Sequence, residues 1–235
     1  MSKRTLYMCL FGLTLISVRL TAQENIAGRI PEYKIAYEFP SVDDIKEVLN
    51  QVRLYYESTS DLKIINPETG IEITDFSIPD RKARVSGGFA AEWSYTNGVV
   101  LSAFEYISAV TGDPLFFANN TRFFDRVTET LPYFIKNREK YGREAMGGWG
   151  RTPDFEALDD CGSIGAAMIK TYLKNNNDDY LDLINTIAEY ISTKQFRLED
   201  GTLARHRPQY QSVWADDLYM SVPFLANMGR LTGDN

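Results

Sequence analysis

Apolar and polar positions recur along most of the chain at helical rather than strand-like spacing. Ser41-Val-Asp-Asp reads as a helix start, with Ser41 as the cap and acids in the first turn. Ile45, Leu49, Val52 and Tyr56 then carry an apolar face to about Glu57. Residues 59–92 lose that period and hold turn signals at Asn66-Pro67, Thr69-Gly70, Pro79-Asp80 and Gly87-Gly88. They read as a long loop with a short hairpin around positions 71–76. From Tyr95 onward helical segments come in pairs. Residues 95–111 stop at Gly112, and residues 115–140 follow with a break expected near Pro132. Residues 161–174, 179–194 and 218–231 complete the set, with Ile184, Ile187, Ala188 and Ile191 on one face of the second of these. The pattern predicts an all-α fold.

Three segments resemble each other. Asn97-Gly-Val-Val-Leu-Ser-Ala-Phe leads to Thr111-Gly-Asp113, Cys161-Gly-Ser-Ile-Gly-Ala-Ala-Met leads to Asn177-Asp-Asp-Tyr180, and Leu218-Tyr-Met-Ser-Val-Pro-Phe-Leu leads to Thr232-Gly-Asp234. The period of roughly 60 residues suits two helices plus a long loop. Small residues in the first helix of a pair (Gly98, Ser102, Ala103; Gly162, Gly165, Ala166, Ala167) would let those helices pack closely as an inner layer. Thr-Gly-Asp reads as a helix stop with glycine in the left-handed cap, then a new N-cap. Pairs arranged in a circle make an (α/α)6 toroid with loops forming a cleft at one end; a stacked solenoid is the competing arrangement. The third unit reaches Asn235 where an outer helix is due, so about half of such a ring is expected here, in a catalytic domain spanning 23–235.

The N-terminus changes the picture of where the protein works. Lys3 and Arg4 precede an apolar run from Leu6 to Val18, and Ala22 offers a cleavage point, so residues 1–22 read as a signal peptide and the product as exported, periplasmic or secreted. Cleavage would remove three basic residues and no acid, taking the formal net charge from −7 to −10. Such a charge argues against nucleic acid and anionic membrane surfaces as partners. Cys161 would remain the only cysteine, and with a single histidine, His206, neither a disulfide nor a metal site is expected; no cofactor is implied.

Candidate chemistry gathers at the inner-helix starts. Asp159-Asp160 stand before the second and Asp216-Asp217 before the third, where Tyr95 stands in the first. Equivalent positions in a ring face one mouth, so these carboxylates should converge. N-capping explains one Asp per helix, worth about 1 kcal/mol, but not the second. A carboxylate beside another, among apolar groups, can keep its proton and serve as a general acid; two together would also fit ordinary glycoside hydrolysis. Trp93, Tyr95, Trp149, Tyr210, Trp214 and Tyr219 lie near these acids in sequence and could form a sugar platform, or fill the core. Arg205-His206-Arg207, just upstream of Asp216, could hold a substrate carboxylate or simply face solvent.

Glu92-Trp-Ser-Tyr-Thr-Asn-Gly98, Leu158-Asp-Asp-Cys-Gly162 and above all Trp214-Ala-Asp-Asp-Leu-Tyr-Met-Ser-Val-Pro-Phe-Leu225 resemble the glycoside hydrolase family 105/88 proteins, the unsaturated rhamnogalacturonyl and glucuronyl hydrolases with an (α/α)6 barrel. The resemblance covers residues 90–235. It implies an oligosaccharide substrate whose non-reducing uronic acid carries a C4=C5 double bond. It places the acid/base on Asp216 and a second catalytic carboxylate on Asp160. It assigns substrate contacts to Tyr95 and His206; Trp214, Trp93, Asp217, Asp159 and Arg205, around the same motifs, are further candidate substrate contacts. A toroid glycosidase acting on saturated uronides and a non-catalytic oligosaccharide-binding protein remain the alternatives.

Overall fold

A computed structural model describes residues 39–234. The signal-peptide expectation for residues 1–22 lies outside the described residues. Six α-helices dominate: α1 (Val42–Thr59), α2 (Tyr95–Thr111), α3 (Pro114–Tyr141), α4 (Gly162–Asn175), α5 (Leu181–Glu189) and α6 (Ala215–Thr232). The chain separates into two units, Met1–Leu49 and Asn50–Asn235, divided within α1. In the first unit Ser41 caps α1 as its sequence requires. Its hydroxyl accepts from the Asp44 N–H at 3.1 Å, and the Asp44 carboxylate accepts from the Ser41 N–H at 2.9 Å.

The second unit begins with the last turns of α1. Tyr56 is buried and its hydroxyl donates to Asn97 Oδ1 at 2.8 Å, but Val52, expected on the same apolar face, is half exposed. Arg53 is buried instead, its guanidinium held by Glu57 at 2.8 Å and by Asn50. The loop that follows is richer in strand than a single hairpin. Strands β1 (Ile64–Asn66), β2 (Ile71–Glu72) and β3 (Arg84–Val85) form an antiparallel sheet in the order β2-β1-β3, with Ile65 opposite Glu72 and Ile64 opposite Val85. Only Ile64 and Val85 turn into the core, which is why the apolar spacing did not announce three strands.

The three inner helices stand side by side, α2 against α4 and α4 against α6. Their first turns meet: the Ser163 hydroxyl donates to the Tyr95 carbonyl at 2.8 Å. Lys170, Lys174, Glu105 and Arg230, from their C-terminal halves, line one hollow at the opposite end, so the three run parallel. The small residues do what their pattern suggested. A Cβ on Gly98 would lie 2.4 Å from the Ile164 nitrogen, and one on Gly162 would lie 1.9 Å from the Met220 carbonyl oxygen. At those two points backbone packs on backbone, and no larger residue fits.

Helices α3 and α5 lie behind the inner layer, α3 against α2 and α4, α5 against α4. Each turn between partners is tight. Gly112, at φ 74°, closes α2 with its N–H on the Ser108 carbonyl, and Asp113 then caps α3 by accepting from Leu115 at 2.9 Å. In the second pair Asn176 takes the left-handed position at φ 52°, with Asn177 as the next cap. The break expected near Pro132 is not there: α3 runs unbroken over Pro114–Tyr141. Val127, Leu131, Tyr133 and Phe134 are all buried around that proline, and their packing outweighs a penalty of about 3 kcal/mol. Pro223 is carried inside α6 in the same way, beside buried Met220, Ser221 and Phe224. The helix expected over 179–194 is instead a 3₁₀ turn, the α-helix α5 and a wider π turn over Tyr190–Lys194.

Behind α2 and α4 the core is aromatic. Phe123, Phe124, Phe134 and Trp149 are fully buried, with Phe123 and Trp149 edge to face at 5.8 Å. Among the described residues no helix is long and apolar enough to cross a membrane.

Candidate functional site

The loop from Gln195 to Trp214 carries the key cation to the start of α6. Gln195 anchors it, accepting from the Tyr190 hydroxyl at 2.9 Å and donating to the Ala204 carbonyl at 2.8 Å. Isolated bridges pair Arg197 with Leu203 and Arg205 with Ser212, so the loop doubles back as two narrow antiparallel turns. Arg205 is thereby aimed at the mouth of the inner helices.

There it meets three carboxylates. Arg205 Nε donates to Asp217 at 2.8 Å, and Nη2 donates to Asp159 at 2.9 Å and to Asp216 at 3.3 Å. Its guanidinium carbon lies 4.3 Å from the centre of the Trp214 ring, a cation–π contact at the cap of α6. The carboxylates differ sharply in exposure: the side chain of Asp217 is 5% exposed, that of Asp159 32% and that of Asp216 51%. Asp216 and Asp217 lie inside the first turn of α6 rather than ahead of it, so their charges also meet the positive end of the helix.

Burial raises the Asp159 carboxyl above the usual range; Arg205 opposes this, and Asp217 and Asp216 add to it. Burial works against the charge of Arg205, but hydrogen bonds and charge from Asp217 and Asp159 more than offset it and raise its proton affinity. Cys161, just behind, is a buried thiol pushed well up by burial first and by Asp160 and Asp159 next.

Asp160 stands apart from this cluster. One of its oxygens accepts from the backbone N–H groups of Glu156 at 2.8 Å and Ala157 at 3.0 Å, closing the turn over Leu158–Asp160, and the other lies 3.7 Å from Arg151. Its carbonyl accepts from the Trp93 indole at 2.8 Å. The two acids of this pair therefore divide, Asp160 toward its own turn and Asp159 toward α6.

The remaining expected contacts sort by burial. Trp93 is buried and Trp149 fully so, with its indole donating to Thr130 at 3.0 Å; neither forms a sugar platform, because each ring fills core volume and spends its N–H internally. Asp217 is likewise closed off, and Arg205 turns Nε and Nη2 toward the acids. Tyr95, Tyr210 and Tyr219 are exposed, and Trp214 is partly so. His206 is exposed, its ring 6.3 Å from Phe196, while Arg207 lies 3.8 Å from Glu156. The basic run thus splits, one guanidinium inward and its neighbours outward.

Arg151 and Glu156 were not singled out from the sequence. Arg151 pairs with Glu156, which also holds Arg143 at 2.9 Å, and this lattice braces the turn behind Asp160. A lone Arg and a lone Glu in a loop carry no periodic signal. Among the described residues no group of three or more His, Cys, Asp or Glu side chains is arranged to hold a metal ion.

Residues 73–235 match the family model for Glycosyl Hydrolase Family 88. Two solved structures share the fold. One is of a possible member of the GH105 family from Klebsiella pneumoniae subsp. pneumoniae, 17% identical at a TM-score of 0.55, covering 86% of this chain and 46% of that one. The other is of a possible GH105 member from Salmonella enterica serovar Paratyphi A, 20% identical at a TM-score of 0.55, covering 87% of this chain and 46% of that one. The chain thus spans about half the length of the solved structures it matches. No curated protein matches it.

Proposed function

This chain belongs to glycosyl hydrolase family 88, and from that premise we propose that the protein hydrolyses lyase-generated oligosaccharides ending in a 4,5-unsaturated uronic acid, rhamnogalacturonan fragments first among them. The observation that carries this reading is Asp216: it opens α6 in the Trp214-Ala-Asp-Asp-Leu-Tyr-Met run, half exposed, 3.3 Å from Arg205. Of the three clustered acids it is the one open enough to meet a sugar.

Protonated Asp216 gives its proton to C4 of the enol ether, leaving positive charge on C5 and the ring oxygen. Water adds at C5, and the carboxylate takes up the proton that water loses, so the acid is regenerated. The resulting hemiketal opens to a C5 ketone, and the hemiacetal left at C1 collapses and releases the next sugar. No bond to the leaving sugar is broken by displacement at C1, so the carboxylate separations of retaining and inverting glycosidases do not govern this site. Asp159, half-buried and raised above the usual carboxylate range by burial, shares the Arg205 Nη2 with Asp216. Tyr95 and Tyr219 supply exposed rings at the same mouth, and Trp214 a partly exposed one, where a sugar face can stack. Asp160 serves this site by fixing the turn that presents Asp159.

The reading places the work outside the cytoplasm, after cleavage near Ala22; N-terminal sequencing of the exported product tests that part. Catalysis is tested by the loss of enol-ether absorbance when the protein meets lyase digests of rhamnogalacturonan, glycosaminoglycan or ulvan. No loss on any of them sinks the proposal. A product that keeps an intact saturated uronic acid, seen by mass spectrometry, selects the glycosidase alternative.

A further inference from the structure

We propose that Arg205 is a positioning residue of the acidic cluster, holding Asp159, Asp216 and Asp217 in register and supplying the one positive charge they share, and that it does not bind the substrate carboxylate. This rests on the reading of Asp216 as the acid.

The geometry leaves Arg205 little freedom. Its side chain is 11% exposed; two of its three nitrogens, Nε and Nη2, are held by the acids, and Trp214 lies against the guanidinium at 4.3 Å. Three carboxylates converge within hydrogen-bond reach of this one guanidinium, which offsets their mutual repulsion. Asp217 is the anchor: buried, it locks Nε at 2.8 Å, and this orients the remaining donors toward Asp159 and Asp216. The guanidinium therefore ties the turn before α4 to the first turn of α6, the two elements whose spacing sets the mouth. A lysine supplies the charge but not the fork, so charge and geometry can be separated experimentally.

The other charged groups nearby are accounted for. From the turn before α4, Asp160 faces Arg151 and not Arg205. From the loop itself, His206 is exposed beside Phe196 and Arg207 lies near Glu156. From α6, Asp216 and Asp217 face it directly. Cys161 at the start of α4 is a buried neutral thiol. Removing Arg205 thus leaves three acids with no replacement cation in contact among the described residues.

The test uses R205Q and R205K in the full-length protein, with two readouts. Carboxyl-carbon NMR titration follows Asp159 without any substrate. In R205Q its midpoint should rise by about one pH unit or more, since an adjacent arginine lowers a carboxylate by roughly that much; in R205K it should stay near that of the unaltered protein. In the activity assay, R205Q should move the alkaline limb of kcat/KM upward and lower kcat at least tenfold. R205K should lower kcat while leaving the limb in place. An unmoved Asp159 midpoint in folded R205Q overturns the proposal, as does a loss confined to KM with the limb unmoved, which would mark Arg205 as a substrate contact. If R205Q loses its helical signal, R205K decides: lowered kcat with an unmoved limb supports the proposal, and an unchanged kcat overturns it. If the unaltered protein turns over no unsaturated uronide, the functional reading fails, while the NMR midpoint still judges Arg205.

Discussion

Gly162→Ala puts the link between helix packing and the acid cluster under direct strain. A Cβ there would sit 1.9 Å from the Met220 carbonyl oxygen, against 3.4 Å or more for ordinary contact, so α4 and α6 must part by about 1.5 Å at their first turns. Overpacking of this kind costs about 1–3 kcal/mol, and here the obstacle is backbone, which puts it at the upper end. Alanine recovers up to about 1 kcal/mol of helix propensity, less at the first helical position. The net loss is about 2 kcal/mol, a fall in Tm of about 4–8 °C for a chain of this size. The same movement draws Asp216 and Asp217 away from Asp159, and displacement by about 1 Å can cost roughly a hundredfold in turnover. Gly165→Ala is the control: its Cβ meets side-chain atoms of Ile187 and Phe224 at 3.0 Å, which can give way, so its Tm should fall by less than half as much. Circular dichroism melts of both variants, with turnover on an unsaturated uronide, make the check. A Gly162→Ala protein that melts and works like the unaltered one would refute the close α4–α6 contact.

Trp149→Ala, which removes a fully buried ring and its hydrogen bond to Thr130, should lower stability by about 3–5 kcal/mol in a denaturant titration. Asp217→Asn, breaking one arm of a buried ion pair whose cation keeps two other partners, should cost about 1–3 kcal/mol by the same measurement. Glu57 is opposed by burial but held below its usual range by Asn119 and Arg53, so the folded carboxyl is depressed. Its contribution is present above pH 4.5 and lost as pH falls through the folded value; the Tm gap between the unaltered protein and Glu57→Gln should therefore close on acidification, measured from pH 7 to pH 3.

Much of the architecture was legible because it repeats. Gly98 and Gly162, read as small residues for close packing, are the points of backbone contact, and Thr111-Gly-Asp113 is a stop and restart as its chemistry requires. What could not be read was decided by tertiary packing. Pro132 breaks nothing because buried neighbours on both sides hold α3 together, and the sheet around Ile64 shows too few inward residues to set a period. At the site, spacing brought the acids to one mouth but could not say which way each carboxylate turns. Asp159 and Asp160 are adjacent in sequence, yet one joins Arg205 and the other caps its own turn. Arg205 read as a substrate contact or a solvated residue because an inward cation is invisible until its three partners, on two separate elements, come together.

The central claim is that Asp216 is the acid that hydrates an unsaturated uronide. The direct measurement is the decay of enol-ether absorbance on a lyase-digested rhamnogalacturonan, comparing the protein with Asp216→Asn at matched helicity. The account predicts steady loss of absorbance with the unaltered protein and a loss of at least a thousandfold in rate with Asp216→Asn, in the range of a removed general acid (~10²–10⁴). Retained decay in Asp216→Asn would contradict it and move the role to Asp159, Asp160 or Asp217.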